Sequence, residues 1–277
     1  MTDPGGAAPE AVEPFYFGEP RLFGCLHPAA DTRGAGPDAP TRTGVVFCHP
    51  LGHEYVTLHR AARILASRLA RSGLPTLRFD YSGTGDSAGG LEEARLQNWV
   101  DDADAAADAL RSRTGVERIC LVGARLGATL ALRAAARRAD VESLALWDPV
   151  VWGRDYLRQL GRDHRRMLRV AHVRTARAES GTVELLGFRL GPDLVADLRS
   201  LAADDLDGAP AERVLLLESH RAVAAPLGAR LRSAGAEVES VLDPLPDLWR
   251  WSEDVTRVEL PHGHLRTLSG WVARTAT

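Results

Sequence analysis

The sequence contains no lysine, and all 34 of its basic side chains are arginines. A Schiff-base mechanism and a lysine general base are therefore excluded. Acidic side chains number 37, so the formal net charge is only −3 and the two signs nearly balance. This balance gives no reason to expect nucleic acid or an anionic membrane surface as a partner.

Cysteine is scarce, and long apolar runs are missing. The three cysteines, Cys25, Cys48 and Cys120, are dispersed without metal-ligand spacing, which is typical of a protein in a reducing cytoplasm. No stretch approaches the roughly 20 apolar residues that span a bilayer. Residues 1–14 lack the basic and apolar regions of a signal peptide and predict a disordered tail. We expect a cytoplasmic protein that uses no metal and no other cofactor.

Short apolar strands alternate with amphipathic helices along most of the chain. Residues 15–18 and 21–26 predict an antiparallel hairpin before this alternation begins. The alternation itself predicts a doubly wound, mostly parallel α/β sheet, with ligand chemistry at the carboxyl ends of its strands. The further predicted strands are 44–48, 75–79, 118–122, 143–147, 213–218 and 237–242, and the predicted helices are 58–71, 92–113, 127–138, 225–233 and 265–274.

One interval, residues 151–210, breaks the alternation and predicts a lid inserted between core segments 15–150 and 211–277. Its arginines form either a solvated helix face, a docking surface for an acidic partner such as an acyl carrier protein, or a gate for anionic substrates. A stripe at helical spacing is expected to pack downward, namely Leu157, Leu160, His164, Leu168 and Ala171. The arginines are Arg154, Arg158, Arg162, Arg165, Arg166, Arg169, Arg174 and Arg177.

Arginine occupies the centre of a predicted tight turn between a strand and a helix. Residues 119–128 form a short apolar run, then Gly-X-Arg-X-Gly, then the start of an alanine-rich helix. Gly123, Gly127 and Ala128 supply the small residues that a nucleophile elbow needs, because its backbone is strained and its strand and helix pack closely. Arg125 cannot act as an acyl nucleophile, since a guanidinium stays protonated and offers only donors.

Three further motifs accompany this turn. Residues 47–55 read FCHPLGHEY, residues 77–89 read LRFDYSGTGDSAG and residues 146–151 read LWDPVV. Together with GARLGA at 123–128, they resemble α/β-hydrolases, and in particular the exosortase-associated hydrolase 2 proteins and their relatives in polyketide and peptide biosynthetic clusters. In that subgroup the elbow residue is also arginine. The resemblance covers residues 15–275 and implies an α/β-hydrolase fold.

Two hypotheses explain an arginine at a helix N-terminus, where free backbone N–H groups and the helix dipole favour an anion. In the first, Arg125 forms a structural ion pair with a local carboxylate, either Asp148 or Glu54. In the second, Arg125 binds a substrate carboxylate, enolate or phosphate in a bidentate manner. The basic lid and the neighbouring oxyanion donors favour the second hypothesis, and the first stays open.

The oxyanion site is expected to be partly intact. Pro50 has no N–H, so its candidate donors are the backbone amides of Leu51 and Leu126. His49 precedes this loop and is expected to hydrogen-bond the turn.

Four polar residues follow, on the loop and in the first turn of the next predicted helix. His53, Glu54, Tyr55 and His59 are expected to face the mouth of the cleft, where they offer a potential base and a phenolic donor. The alternative is that they are solvent-exposed loop residues.

The acid and histidine positions depart from the usual hydrolase pattern. Residues 218–222 read ESHRA and contain no aspartate, so Asp148 is the alternative acid, with either a structural or an active-site role. The loop after the last strand offers Trp251 as a substrate contact where a histidine is expected. His264 and His262 precede the final helix and are the candidate bases. They lack a third ligand at matching spacing for a metal.

The loss of the serine argues against covalent acyl-enzyme hydrolysis. The favoured hypothesis is elimination of a carboxylate such as acetate from a small, anionic acyl substrate, with Arg125 as anion anchor and a histidine as base. The resemblance supports it, because some α/β-hydrolase-like proteins of tetronate polyketide pathways perform this kind of step. The alternatives are ester or thioester hydrolysis by activated water, and a pseudoenzyme that binds an acyl metabolite or a partner without turnover.

Overall fold

The computed structural model describes residues 12–30, 42–173, 181–202, 209–220, 223–245, 248–253 and 260–276. Most of the predicted tail lies outside these ranges, as do Arg174 and Arg177 of the predicted lid.

The described residues form ten strands and seven helices. The strands are β1 (Glu13–Phe17), β2 (Leu22–His27), β3 (Thr43–Cys48), β4 (Thr76–Phe79), β5 (Arg118–Ala124), β6 (Val141–Trp147), β7 (Val183–Leu185), β8 (Phe188–Leu190), β9 (Arg213–Glu218) and β10 (Glu237–Leu242). The helices are α1 (His53–Arg71), α2 (Leu96–Thr114), α3 (Leu126–Ala135), α4 (Gly153–Val170), α5 (Pro192–Ser200), α6 (Ala225–Ser233) and α7 (His262–Thr275).

Eight of the strands form one twisted sheet in the order β1-β2-β4-β3-β5-β6-β9-β10. All neighbours from β4 to β10 pair in parallel, and the entry hairpin of β1 and β2 adds antiparallel strands at one edge. The carboxyl ends of β3, β4, β5, β6 and β9 therefore meet at one end of the sheet, where ligands bind in such folds. The predicted α/β-hydrolase architecture is confirmed.

The central strands are buried on both faces, which explains their continuous apolar sequences. On one face α1 and α7 cover side chains such as Val45, Val122 and Leu215. On the other face α2, α3 and α6 pack over side chains such as Val46 and Leu121. The two layers hold the loops at the carboxyl ends in fixed positions.

Two helices begin earlier than the sequence predicts. Helix α1 starts at His53, five residues before the expected start, because its first turn carries polar side chains that apolar periodicity does not register. Helix α7 starts at His262, immediately after Pro261. His53, Glu54, Tyr55, His262 and His264 therefore lie on helices, and their expected loop positions were wrong.

The predicted lid contributes α4, the β7–β8 hairpin and α5 between β6 and β9. The buried face of α4 is formed by Tyr156, Leu160 and Asp163. Of the expected stripe only Leu160 is buried, and Ala171 is exposed. The prediction missed this face because Tyr156 and Asp163 are buried through polar contacts. The exposed arginines of α4 are Arg154, Arg158, Arg162, Arg165, Arg166 and Arg169. None of the described helices is long and apolar enough to cross a membrane.

Candidate functional site

The turn from β5 into α3 has the geometry of a nucleophile elbow. Arg125 adopts φ 54° and ψ −123°, a backbone conformation that residues other than glycine rarely occupy. A Cβ at Gly123 would lie 2.5 Å from the Cα of Ala128, and a Cβ at Gly127 would collide with the carbonyl oxygen of Cys48. The small residues of the motif are therefore required by the close approach of α3 to β5 and to the loop after β3.

The Arg125 side chain is enclosed by polar partners. Its Nε donates to Oε1 of Glu54 at 2.9 Å, and its Nη2 donates to Oε1 of Gln159 at 2.9 Å. Its Nη1 approaches the backbone carbonyl of Asp148 at 3.4 Å. The Arg125 side chain is 12% exposed, and that of Glu54 is fully buried. The guanidinium also lies against the rings of Tyr156 and Trp249.

Glu54 is held from two sides. Its second carboxylate oxygen accepts the hydroxyl of Tyr156 at 2.8 Å. Burial raises the pKa of the Glu54 carboxyl, and the charge of Arg125 opposes that shift. Burial alone would lower the pKa of Arg125, but Glu54 reverses the direction. The two groups therefore stabilise each other as an ion pair.

This arrangement is the first of the two hypotheses for Arg125, with Glu54 and not Asp148 as the partner. Nε and Nη2 of Arg125 already donate to Glu54 and Gln159, which leaves less of the guanidinium available to a substrate anion. The role of Arg125 as an anion anchor stays a prediction.

The carboxylate of Asp148, directly after β6, binds groups other than the guanidinium. Its Oδ1 accepts the backbone N–H of Ser219 at 2.7 Å, and its Oδ2 accepts the Ser219 hydroxyl and the indole N–H of Trp249 at 2.6 Å. The residue itself has a positive φ of 45°. Asp148 thus joins the ends of β6 and β9 and anchors the segment that carries Trp249.

His264 lies in the first turn of α7 and is 2% exposed. Its Nε2 is 3.1 Å from the Ser219 hydroxyl, its Nδ1 is 3.6 Å from Oδ2 of Asp243, and its ring stacks on Trp147. Burial lowers its pKa, so the imidazole is neutral near pH 7.

Ser219, His264 and Asp243 are placed like the three members of a catalytic triad, but the Ser219 hydroxyl is not directed at His264. It donates its single hydrogen to Oδ2 of Asp148, and it accepts the indole N–H of Trp147 at 3.3 Å. A hydrogen that is bound to Asp148 is not delivered to the imidazole. Ser219 is also fully buried, so this cluster is structural as it stands.

A largely apolar cavity of about 300 Å³ lies beside the elbow. Leu51 and Leu126 both line it, and within the described chain no acceptor is bound to the backbone N–H of either residue. The apolar wall is formed by Tyr81, Leu91, Trp99, Leu130 and Phe188. We call this space the acyl cavity, because its size and lining suit a small acyl group next to two free amide donors.

The polar wall of the acyl cavity is formed by His49, Tyr55 and Asp80. The Tyr55 hydroxyl donates to Oδ1 of Asp80 at 2.8 Å, and the backbone N–H of Asp86 donates to Oδ2. His49 is buried between the rings of Phe47 and Tyr55, and burial holds its pKa well below 6.5. Its Nδ1 has no hydrogen-bond partner among the described residues, so the expected hydrogen bond to the turn is not formed through that atom.

The other predicted site residues lie outside this wall. His53 is half-buried on α1, with its Nε2 3.5 Å from the Thr57 hydroxyl, and Trp251 packs against the core. His262 is exposed at the start of α7. The described residues contain no group of three or more His, Cys, Asp or Glu side chains suited to a metal ion.

Sequence reasoning missed several residues of this region. Tyr156 and Gln159 are three positions apart on α4, and that spacing places both on one helix face. Ser219 and Trp249 could have been found only from the sheet order, which brings their loops to Asp148. Asp80 stands in the quoted DYSGTGDS motif, but its place in the cavity wall depends on the pairing of β3 with β4.

The comparisons with known proteins agree on the fold. Residues 39–189 match the family described as serine aminopeptidase, S33. No curated protein matches the sequence. Among solved structures, a hypothetical protein from Pseudomonas aeruginosa is 18% identical with a TM-score of 0.64, over 97% of this chain and 95% of that one.

Two further similar structures are those of a protein with bound ferulic acid and of an esterase domain. Est1E from Butyrivibrio proteoclasticus with bound ferulic acid is 17% identical with a TM-score of 0.60, over 94% of this chain and 96% of that one. The esterase domain of a Rhodothermus marinus protein is 19% identical with a TM-score of 0.59, over 96% of this chain and 100% of that one. Similarities at this level of identity show the fold alone.

Proposed function

Because the segment matched by its family profile is more than half of its length, the chain belongs to the serine aminopeptidase S33 family of α/β-hydrolases, and we propose that it binds the acyl or ester group of a small metabolite and converts it without an acyl-enzyme intermediate. The observation that carries this proposal is the acyl cavity with its two unoccupied amide donors next to an elbow that lacks a nucleophile.

The Arg125–Glu54 pair supports the proposal by fixing those donors. Arg125 directly precedes Leu126 on the elbow, and the backbone N–H of Glu54 donates to the carbonyl of Leu51 at 3.2 Å. The ion pair therefore joins the turn that carries one amide to the turn that carries the other. Fixed donors stabilise a developing oxyanion without reorganising during the reaction. In this role Arg125 is a positioning residue, and its guanidinium remains with Glu54 throughout.

The reaction that suits this site is base-assisted loss of a carboxylate, such as acetate. A base removes a proton from the carbon next to a carbonyl, and the two amides stabilise the enolate oxygen. The electron pair then forms the new double bond while the C–O bond to the carboxylate breaks. Asp80 supports this step better than His264 does, because its carboxylate lines the acyl cavity and His264 is buried against Ser219.

Water activated by the same Asp80 would instead hydrolyse an ester or thioester, and binding without turnover is the third possibility. The three differ in product: an alkene and a free carboxylate, an alcohol or thiol and a free acid, or no product. In the Est1E structure the bound molecule is ferulic acid, a small aromatic carboxylate. A ligand of that size and class is a reasonable starting point for a substrate screen of this chain.

Membership of the exosortase-associated hydrolase 2 subgroup, a place in polyketide biosynthesis and a cytoplasmic location belong to the same proposal. The exposed arginines of α4 would then face an anionic substrate or an acyl carrier protein. Their charge is only partly neutralised, since Arg158 pairs with Asp155 while Arg162, Arg165 and Arg166 form no ion pair with a described residue.

The test is a turnover screen with O-acetylated β-dicarbonyl compounds and acyl thioesters, read by mass spectrometry. Val56→Trp should fill the mouth of the acyl cavity, because Val56 lines it and is 62% exposed. Val170→Trp is the matched control, an exposed valine on a helix away from the cavity. We expect activity to be lost in the first variant and retained in the second. Equal activity in both would refute the proposal.

A second comparison tests the base. Asp80→Asn should lower kcat by about 100-fold or more, the usual contribution of a general base. Asp108→Asn, at an exposed position of α2, should leave it unchanged. Labelling of the wild-type protein by a fluorophosphonate would show that some serine is an active nucleophile, and would refute the non-covalent mechanism.

A further inference from the structure

A second cavity, of about 270 Å³, lies on the other side of the wall formed by His49, Tyr55 and Asp80. Strand β2 contributes Cys25, strand β4 contributes Arg78, and helix α1 contributes His59 and Arg63. We call this space the arginine cavity. Its lining is far more polar than that of the acyl cavity, so the two suit different chemical groups.

Arg78 has an incomplete set of partners. The residue is only 7% exposed, and its Nε donates to Nε2 of His27 at 3.1 Å. Its two terminal nitrogens form no hydrogen bond or ion pair with any described residue. These donors are therefore open to solvent or to an acceptor in the adjacent space, where a charge-assisted hydrogen bond is stronger than at the open surface. Arg78 lines the arginine cavity, so that acceptor would lie inside it.

Among the neighbouring side chains, Arg63 adds a second positive charge and two histidines add neutral hydrogen-bonding groups. His59 and Arg63 are four residues apart on α1 and therefore share one helix face. Burial and then the charge of Arg78 lower the pKa of both His49 and His59. These histidines are neutral near pH 7 and can donate or accept a hydrogen bond without adding charge.

Two carboxylates also line the arginine cavity. Both oxygens of Asp80 already accept hydrogen bonds, from the Tyr55 hydroxyl and from the backbone N–H of Asp86. The Asp86 side chain is exposed and forms no ion pair with a described residue. Asp80 keeps its charge, so it partly offsets Arg78 in the interior of the cavity, and Asp86 partly offsets Arg63 at the surface. The terminal nitrogens of Arg78 nevertheless keep donors that neither carboxylate accepts.

We propose that the arginine cavity binds the carboxylate or phosphate group of a small molecule, with the terminal nitrogens of Arg78 as the main donors and with Arg63 and His59 near the entrance. The planar guanidinium matches two oxygens of either group. The site requires no turnover and does not depend on the function proposed for the acyl cavity. Failure of one proposal therefore leaves the other standing.

The test is isothermal titration calorimetry with inorganic phosphate and, separately, with acetate. The probe that binds more tightly identifies the preferred oxyanion. Arg63→Gln should weaken its binding by about two- to fivefold, the usual effect of one exposed charge. Arg60→Gln is the matched control, since Arg60 is exposed on the same helix and does not line the cavity. Asp86→Asn should tighten binding by a similar factor.

Arg78→Met should weaken binding by about tenfold or more, because it removes charged donors from a buried site. If that variant fails to fold, the three surface variants decide the question by themselves. Absence of saturable binding of both probes to the wild-type protein would overturn the proposal. Equal effects of Arg63→Gln and Arg60→Gln would overturn it as well.

Discussion

Removing either partner of the Arg125–Glu54 pair should destabilise the protein far more than removing both. Glu54 is fully buried and Arg125 is 12% exposed, so a single substitution leaves a charge in a nearly dry environment. Breaking a buried pair in this way costs about 3–5 kcal/mol, whereas replacing both partners with apolar side chains is often neutral. We therefore expect Glu54→Gln and Arg125→Met to lose about 3–5 kcal/mol each, and Glu54→Leu with Arg125→Met to lose much less than the sum of its single substitutions.

The Arg125→Met variant adds a pH dependence with a defined sign. Burial already raises the pKa of Glu54, and loss of the guanidinium removes the charge that opposes this shift. A carboxyl whose folded pKa lies above its unfolded value of 4.5 contributes stability at low pH and loses it as the pH rises through the folded value. Arg125→Met should therefore be less destabilised at pH 5 than at pH 8.

The measurement is urea unfolding of the wild type, each single variant and the double variant, followed by tryptophan fluorescence at both pH values. Glu117→Gln is the control, because Glu117 pairs with Arg42 at an exposed position and its loss should cost less than about 1 kcal/mol. The reasoning is refuted if the two single costs add within about 0.5 kcal/mol, since groups that do not interact behave that way.

Three further outcomes follow from the same coordinates. Gly127→Ala should lower the free energy of unfolding by more than about 3 kcal/mol, because its Cβ would collide with backbone oxygens. Gly90→Ala is the control and should be tolerated, since a Cβ there has nothing within 4 Å. Thermal denaturation of both variants measures the difference. Arg125→Ser should gain neither esterase activity nor fluorophosphonate labelling, because His264 is 2% exposed and its Nε2 lies against the Ser219 hydroxyl at 3.1 Å. Robust labelling would contradict this arrangement. Burial lowers the pKa of His49 and His264 below 6.5, so the free energy of unfolding should fall as the pH drops below about 6.5 and the unfolded state takes up protons. His264→Gln should make the free energy of unfolding, measured by urea titration, depend less on pH. An unchanged pH dependence would count against the buried neutral imidazole.

The sheet could be predicted from sequence because its signal is local. Continuous apolar strands, amphipathic helices and the Gly-X-Arg-X-Gly turn can each be recognised from a window of about ten residues. The bounds predicted for β9, β10 and α6 coincide with those of the structure. Helices α1 and α7 both begin earlier than predicted. In α1 the first turn carries the buried Glu54 of the ion pair and therefore reads as polar.

The contacts of the site were harder to predict from the sequence, because they join segments that are far apart along the chain. The partner of Arg125 is 71 residues away along the chain, and Gln159 comes from the lid. Sequence supplied Glu54 and Asp148 as equal candidates for the ion pair. What separates them is that Asp148 binds the Ser219 amide and hydroxyl at the end of β9, a contact set by the pairing of β6 with β9. The sheet order was needed to make that distinction.

The elbow has a strained backbone although it presents no nucleophile. A residue other than glycine held at φ 54° and ψ −123° costs on the order of 1–3 kcal/mol. The conformation does have a second consequence, because it starts α3 at Leu126 and leaves the first N–H of that helix without a backbone acceptor beside the acyl cavity. The strained turn thus leaves the Leu126 amide free beside the acyl cavity, which is the geometry that the role proposed for this amide requires.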